Sequence, residues 1–182
     1  MWKILNFFSI ILSYLPNFIF RILWRLLDTF DGRLGAILRY ILIAKRLKEC
    51  GNKVFFGPFV NIESIEKLQV GNNVSIHHQC TLICAGGIEL GDNVAIAHNS
   101  SLVSTNHTWD NIELPIKYNP IIKNKIIIEK DVWIGCSVKV LAGAYIESRV
   151  VIAAGAVVPG NRFIGNSIYG GIPCKKIKSI CL

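Results

Sequence analysis

The sequence predicts a mainly β chain, a hexapeptide-repeat parallel β-helix preceded by an α-helical segment. Three observations carry that prediction. From residue 128 the chain runs IEKDVW IGCSVK VLAGAY IESRVV IAAGAV VPGNRF IGNSIY, blocks of six that open on Ile128, Ile134, Val140, Ile146, Ile152, Val158 and Ile164. A second small or branched apolar residue stands two positions before the later openers, at Val132, Val138, Ala144, Val150 and Ala156. The corner GNNV at 71–74 recurs almost unchanged as GDNV at 91–94. A period of six is neither helical nor a simple strand alternation; it suits a solenoid whose coil is three short strands, about eighteen residues in all. The openers point inward and stack coil on coil, each stabilising the prism by roughly 1.5–3 kcal/mol.

In chain order, residues 1–50 come first, as an apolar helical segment. The uncharged run Ile4–Phe20 lies at the short limit for a bilayer span, and Pro16 interrupts it. Lys3, Asn6, Ser9, Ser13 and Asn17 recur every three or four positions, which makes a narrow polar stripe on a helix. No small-residue cleavage site follows, so a secretory signal is not expected. Beyond it Arg21, Arg25, Arg33, Arg39, Lys45, Arg46 and Lys48 punctuate apolar groups. Tryptophan and arginine on an apolar helix suit a lipid headgroup region. Packing on the main domain or on a neighbouring subunit is the alternative.

Residues 51–170 form the β-helix. Val54 and Val60 begin the series, Val70, Ile76 and Leu82 continue it, and Leu90, Ile96 and Leu102 follow after two extra residues. The ladder breaks between Leu102 and Ile128, so about 103–126 must leave the coil as a long loop, and such loops in strict solenoids are usually functional. Residues 171–182 close the chain as a basic tail. Six scattered cysteines, Cys50, Cys80, Cys84, Cys136, Cys174 and Cys181, show no metal-binding spacing and are expected as reduced, mostly buried thiols in a cytoplasmic protein. A net charge of +8 in a chain that is 52% hydrophobic suits an anionic cofactor or membrane surface. Nucleic acid is not expected, because the cations are not interleaved with an aromatic RNA-binding motif.

The stretches GDNVAIAHNSSLVSTNHTWD, DVWIGCSVKVLAGAYIESRVVIAAGAVVP and GGIPCKKIKSI resemble the left-handed β-helix acyltransferases, in particular the sugar and polysaccharide O-acetyltransferases. The resemblance covers about residues 52–180. It implies a homotrimer of prisms with active sites in the clefts between subunits, acetyl-CoA as donor and no metal. It places the general base at His107, at the mouth of the loop, where imidazole chemistry suits proton abstraction from a hydroxyl during direct transfer in a ternary complex. It assigns oxyanion stabilisation to a backbone N–H near Gly135–Cys136. Trp133 would flank the donor or acceptor, Ala154 and Gly155 the pantetheine arm, and Lys175 and Lys178 the CoA phosphates. His77 stands where related sugar enzymes carry an asparagine facing the acceptor, so the acceptor is expected to differ. His98 fills a corner more often held by proline. Asp110 is the candidate carboxylate to orient His107.

The apolar, basic amino terminus is similar to enzymes acting on capsule, exopolysaccharide or O-antigen units. The expected acceptor is therefore a saccharide or lipid-linked saccharide, met by a peripheral protein at the inner membrane face. The alternatives are a non-catalytic trimeric scaffold and an acetyltransferase for a small non-saccharide acceptor. A zinc carbonic anhydrase on this fold needs a histidine pattern that His77, His78, His98 and His107 do not match.

Overall fold

The computed structural model describes residues 2–180, with side chains from residue 5; the predicted roles of Lys3 and Cys181 lie outside that range. Three helices open the chain: α1 (Trp2–Ser13), α2 (Asn17–Leu26) and α3 (Gly32–Ile43). Pro16 separates the first two, since its ring and missing N–H cannot continue a helix. Asp31 caps α3 by accepting the Gly32 N–H at 2.7 Å.

Among the described residues, the rest winds as a parallel β-helix with three faces of six, seven and five strands. On the first face Val70, Leu90, Ile128, Ile146 and Phe163 lie in one file, at intervals of 20, 38, 18 and 17 residues. Phe56, Ile76, Ile96, Ile134, Ile152 and Tyr169 make the file on the second face. Ile62, Leu82, Leu102, Val140 and Val158 make it on the third. The openers from Ile128 to Val158 are buried, and so are the residues two positions before them. Early coils hold 20 residues because wider corners at 64–67 and 84–87 join the third face to the first.

Two expectations need correction. Val54 and Val60 are buried, but they belong to the second inward row; Phe56 and Ile62 open the first coil in register with Ile76 and Leu82. Ile164 is 55% exposed, and Phe163 takes its inward place at 4%. The coil leading to it is one residue shorter, which turns every side chain after the corner to the opposite face. Phe163 then packs edge-on against Tyr169, ring centroids 5.1 Å apart.

Coil-to-coil hydrogen bonds mostly run from an N–H to a carbonyl of the following coil, as in Gly51 to Val70, Phe55 to Val74 and Asn61 to Cys80. The first coil therefore leaves carbonyls without a preceding coil to satisfy them. The helices supply donors: Trp24 Nε1 to Val60 O (2.9 Å), Arg39 Nε to Phe56 O (2.7 Å) and Tyr40 OH to Gly51 O (3.1 Å). Arg39 is fully buried, and its Nη1 donates to Leu27 O and Phe30 O. Asp28 accepts the Phe59 N–H at 2.6 Å. At the other end residues 175–179, read as tail, form a strand antiparallel to Ser167–Gly170.

Among the described residues Cys50, Cys80, Cys84, Cys136 and Cys174 are free thiols. Burial pushes Cys50 and Cys84 up to about 12, so both stay protonated and inert at neutral pH.

The register shift is testable by paired substitutions. Phe163→Ala should lower the unfolding free energy by about 3–5 kcal/mol, whereas Ile164→Ser should change it by about 0.5 kcal/mol or less. Urea midpoints at constant slope would measure both, and the reverse ranking would restore Ile164 to the core.

Candidate active site

The corner joining the second face to the third repeats in every coil. Phe59, Gln79, Asn99, Ser137 and Gly155 occupy the left-handed region there, with φ between 57° and 72°. The residue before each forms an outward ladder of Pro58, His78, His98, Cys136 and Ala154. The His78 and His98 rings lie parallel in that ladder, 3° apart in plane with centroids 5.0 Å apart. One step earlier come Gly57, His77, Ala97, Gly135 and Ala153. A side chain at Gly135 would meet the Ala154 nitrogen at 2.6 Å, so the coils approach too closely for any other residue. Ser100, fully buried in the second inward row, fixes this turn: its hydroxyl donates to Gly135 O (2.9 Å) and accepts the Val138 N–H (3.2 Å).

The backbone donors expected here divide into two kinds. Gly135 N–H is committed to Ile152 O and Gly155 N–H to Cys136 O. The Cys136 and Ala154 N–H groups, on successive coils, have no acceptor among the described residues. The equivalent N–H groups of His78 and His98 on the earlier coils are likewise without an acceptor among the described residues.

The outer surface of the second face aligns further predicted residues. Register pairs run Ala95–Trp133–Val151–Ile168–Lys178 across neighbouring strands. Trp133 is 56% exposed at the side of a shallow cavity of about 290 Å³ that Ala95, Arg149, Val151 and Ile180 also line. Lys175 and Lys178 are three residues apart, a spacing that would put them on opposite faces of a regular strand. A bulge at Ile177 makes Lys175 pair with Gly170 and Lys178 with Ile168, two residues apart on the partner strand, and so turns both lysines to the same side. Among the described residues neither lysine makes an ion pair.

His107 ends the strand Thr105–His107, which pairs antiparallel with Ile121–Lys123. The expected loop is thus a two-stranded ribbon with a 3₁₀ turn at Ile116–Tyr118. Two residues that sequence reasoning missed hold it. Buried Ser104 staples its root: its Oγ donates to Ile83 O and accepts the Gly86 N–H, and its carbonyl accepts the Asn124 N–H. Asn119, only 4% exposed, gathers the tip by accepting the Asn111 N–H and donating towards Asn111 O, Leu114 O and Pro115 O. A serine and an asparagine in a polar loop carry no signal of these roles. The His107 side chain is exposed and, among the described residues, makes no hydrogen bond; Asp110, also exposed, makes no bond to it.

Trp133, Cys136, Ala154, Lys175 and Lys178 therefore gather along one corner and its adjoining face, with His77 two coils earlier on the same corner. His107 stands beyond the far end of the third face, in the ribbon that leaves the coil after Val103. A single chain holds two separated halves of the expected site. Among the described residues no group of three His, Cys, Asp or Glu could hold a metal ion.

A family model described as bacterial transferase hexapeptide (six repeats) matches residues 125–160. The chain is 35% identical over 132 residues to a probable acetyltransferase of Mycobacterium tuberculosis, covering 72% of this chain and 44% of that one. This chain thus spans less than half the length of that relative. The structure is similar to a maltose O-acetyltransferase from Clostridium difficile, with a TM-score of 0.77 and 26% identity over 90% of this chain and 85% of that one. It is equally similar to a galactoside acetyltransferase in complex with coenzyme A, with a TM-score of 0.77 and 26% identity over 87% and 78% of the two chains.

His77 lies against the Phe55 ring at 5.6 Å, and partial desolvation, with the His78 and His98 charges adding, lowers its pKa below the ordinary 6.5. Between the folded and unfolded values the unfolded chain binds more protons, so stability is complete above about 6.5 and falls as pH drops through that value. The melting temperature of wild type should therefore fall more steeply on acidification from pH 7.5 (a pH well above the ~6.5 of free imidazole) than that of His77→Asn. Parallel curves would show that His77 is not held in its neutral form.

Proposed function

We propose that this chain, which belongs to the hexapeptide-repeat acyltransferase superfamily, transfers an acetyl group from acetyl-CoA to a hydroxyl of a saccharide. The observation that carries the reading is the alignment of Trp133, Lys178 and the free Cys136 and Ala154 N–H groups along one edge, with an unengaged His107 at the ribbon root. An elongated thioester with phosphates at one end fits such an edge: lysines for phosphate, indole and free N–H groups for the pantetheine arm and carbonyl. The galactoside enzyme's complex with coenzyme A supports the same donor.

The imidazole of His107 takes the proton of the acceptor hydroxyl as its oxygen attacks the thioester carbonyl. The Cys136 N–H donates to the carbonyl oxygen while negative charge gathers there. The carbon–sulfur bond then breaks, and the thiolate leaves with the proton His107 took. Acetyl passes directly to the sugar, and the Cys136 thiol plays no covalent part. Because His107 and the Cys136 corner are a face apart in one chain, a homotrimer in which one subunit's ribbon meets a neighbour's corner completes the site. His77 faces the acceptor. The acceptor is a capsule, exopolysaccharide or O-antigen unit, and the enzyme meets it as a peripheral protein at the inner membrane face.

Thiol release from acetyl-CoA, measured with saccharides and lipid-linked saccharides, tests this. His107→Ala should lower kcat by about 10²–10⁴-fold and leave the Kd for acetyl-CoA unchanged. Lys178→Ala should raise KM for acetyl-CoA about three- to ten-fold. A His107 variant with full activity would place the base elsewhere, and a wild-type protein that does not bind acetyl-CoA would overturn the reading.

A further inference from the structure

The first helix turns an apolar face outward. At 100° per residue, Phe7 and Ile11 lie opposite Ser9 on α1, and Tyr14 follows the helix end. Ser9 is fully buried and donates to Ile41 O at 2.7 Å, and Asn6 accepts the Tyr40 hydroxyl at 3.2 Å. Asn6 and Ser9 of the polar stripe thus face α3 beside Leu5 and Leu12, which pack on the core, while Phe7, Phe8, Ile10, Ile11 and Tyr14 point outward at 47–83% exposure. A helix in water turns polar residues outward; polar groups placed inside and a wholly apolar outer face are the arrangement of helices that meet lipid.

The second observation is charge. On α2 the exposed residues alternate Phe18, Arg21, Ile22, Arg25 and Leu26. Among the described residues Arg21, Arg33 and Lys45 have no hydrogen bond or ion pair. The two aspartates of the helices are engaged, Asp28 with the Phe59 N–H and Arg25, and Asp31 with the Gly32 N–H. Tyr14, at the end of the apolar face, lines one cleft with Arg21, Arg25 and Lys45, and with Glu63 and Glu66 on its far wall, so the apolar face and the cations adjoin. Among the described residues no helix is long and apolar enough to cross a membrane.

We infer that the outer face of α1, with the α2 cations beside it, inserts into the headgroup layer of an anionic bilayer and orients the β-helix on it. The inference shares the membrane address of the function proposed above but stands on the apolar outer face of α1, not on the chemistry of His107. Aromatic and aliphatic side chains enter the boundary between headgroups and acyl chains, and Arg21 and Lys45 meet lipid phosphates.

Sedimentation of the full chain with vesicles tests it, using phosphatidylcholine alone and phosphatidylcholine with about one-third phosphatidylglycerol. Wild type should partition to the anionic vesicles, and Phe7→Ser/Ile11→Ser should weaken partitioning at least about ten-fold. Arg21→Glu should weaken it less and abolish its salt dependence in part. Both variants change exposed residues, so an unchanged melting temperature and unchanged thiol release with a soluble saccharide confirm folding. Equal binding by wild type and the double variant would overturn the inference. So would an assembly that shrinks in sedimentation velocity on Phe7→Ser/Ile11→Ser without any vesicle binding, which would give the face to a second copy. Vesicle binding without acetyl transfer would support the docking face and remove the proposed activity; transfer with no vesicle binding would do the opposite.

Discussion

Every coil of this prism depends on the next for its backbone hydrogen bonds. Strands of two to five residues cannot hold themselves, and most of their N–H groups find a carbonyl one turn further on. Corner geometry is therefore repeated rather than chosen, with left-handed residues recurring at equivalent positions. The same dependence leaves a first coil with orphaned carbonyls and a last coil with an open edge, and both ends must be closed. The chain closes one with three side-chain donors from its helices and the other with its own returning strand.

Closure at the first coil shapes the helical segment. Trp24, Arg39 and Tyr40 turn their polar atoms towards the coil, and Asn6 and Ser9 turn theirs towards α3. With the polar groups spent inward, the apolar side chains of α1 are left outside. Capping the solenoid thus consumes polarity that a lipid-facing helix must hide, which makes it compatible with the docking role proposed for α1.

The candidate site follows from the same lattice. Since residues in register are aligned across coils whatever their separation in sequence, Trp133 and Lys178 come to share one row although 45 residues of chain divide them. Gly135 lets adjacent coils approach, and buried Ser100 fixes its carbonyl. An excursion can leave only at a corner, where the ladder tolerates extra residues, and Ser104 holds that exit by binding the coil before it. The ribbon and the Cys136 corner sit at opposite ends of the third face, which is why the function proposed above calls on a neighbouring subunit.

The hexapeptide period, by itself, determined the solenoid, the inward files, the break after Leu102 and the position of His107 at its mouth, because side-chain alternation and coil length are local and repeat many times. It also showed the polar stripe of α1, but not which way the stripe faces; that depended on donors demanded by a coil some forty residues away. Tertiary structure alone decided the one-residue slip that buries Phe163 instead of Ile164, since a single shortened corner is invisible against a period of six. It decided the bulge at Ile177 that turns Lys175 and Lys178 together, and it decided which backbone N–H groups stay free at Gly135–Cys136 and Ala154–Gly155. Each of these is settled by hydrogen bonds between residues far apart in the chain, and no local pattern records where such a bond will close.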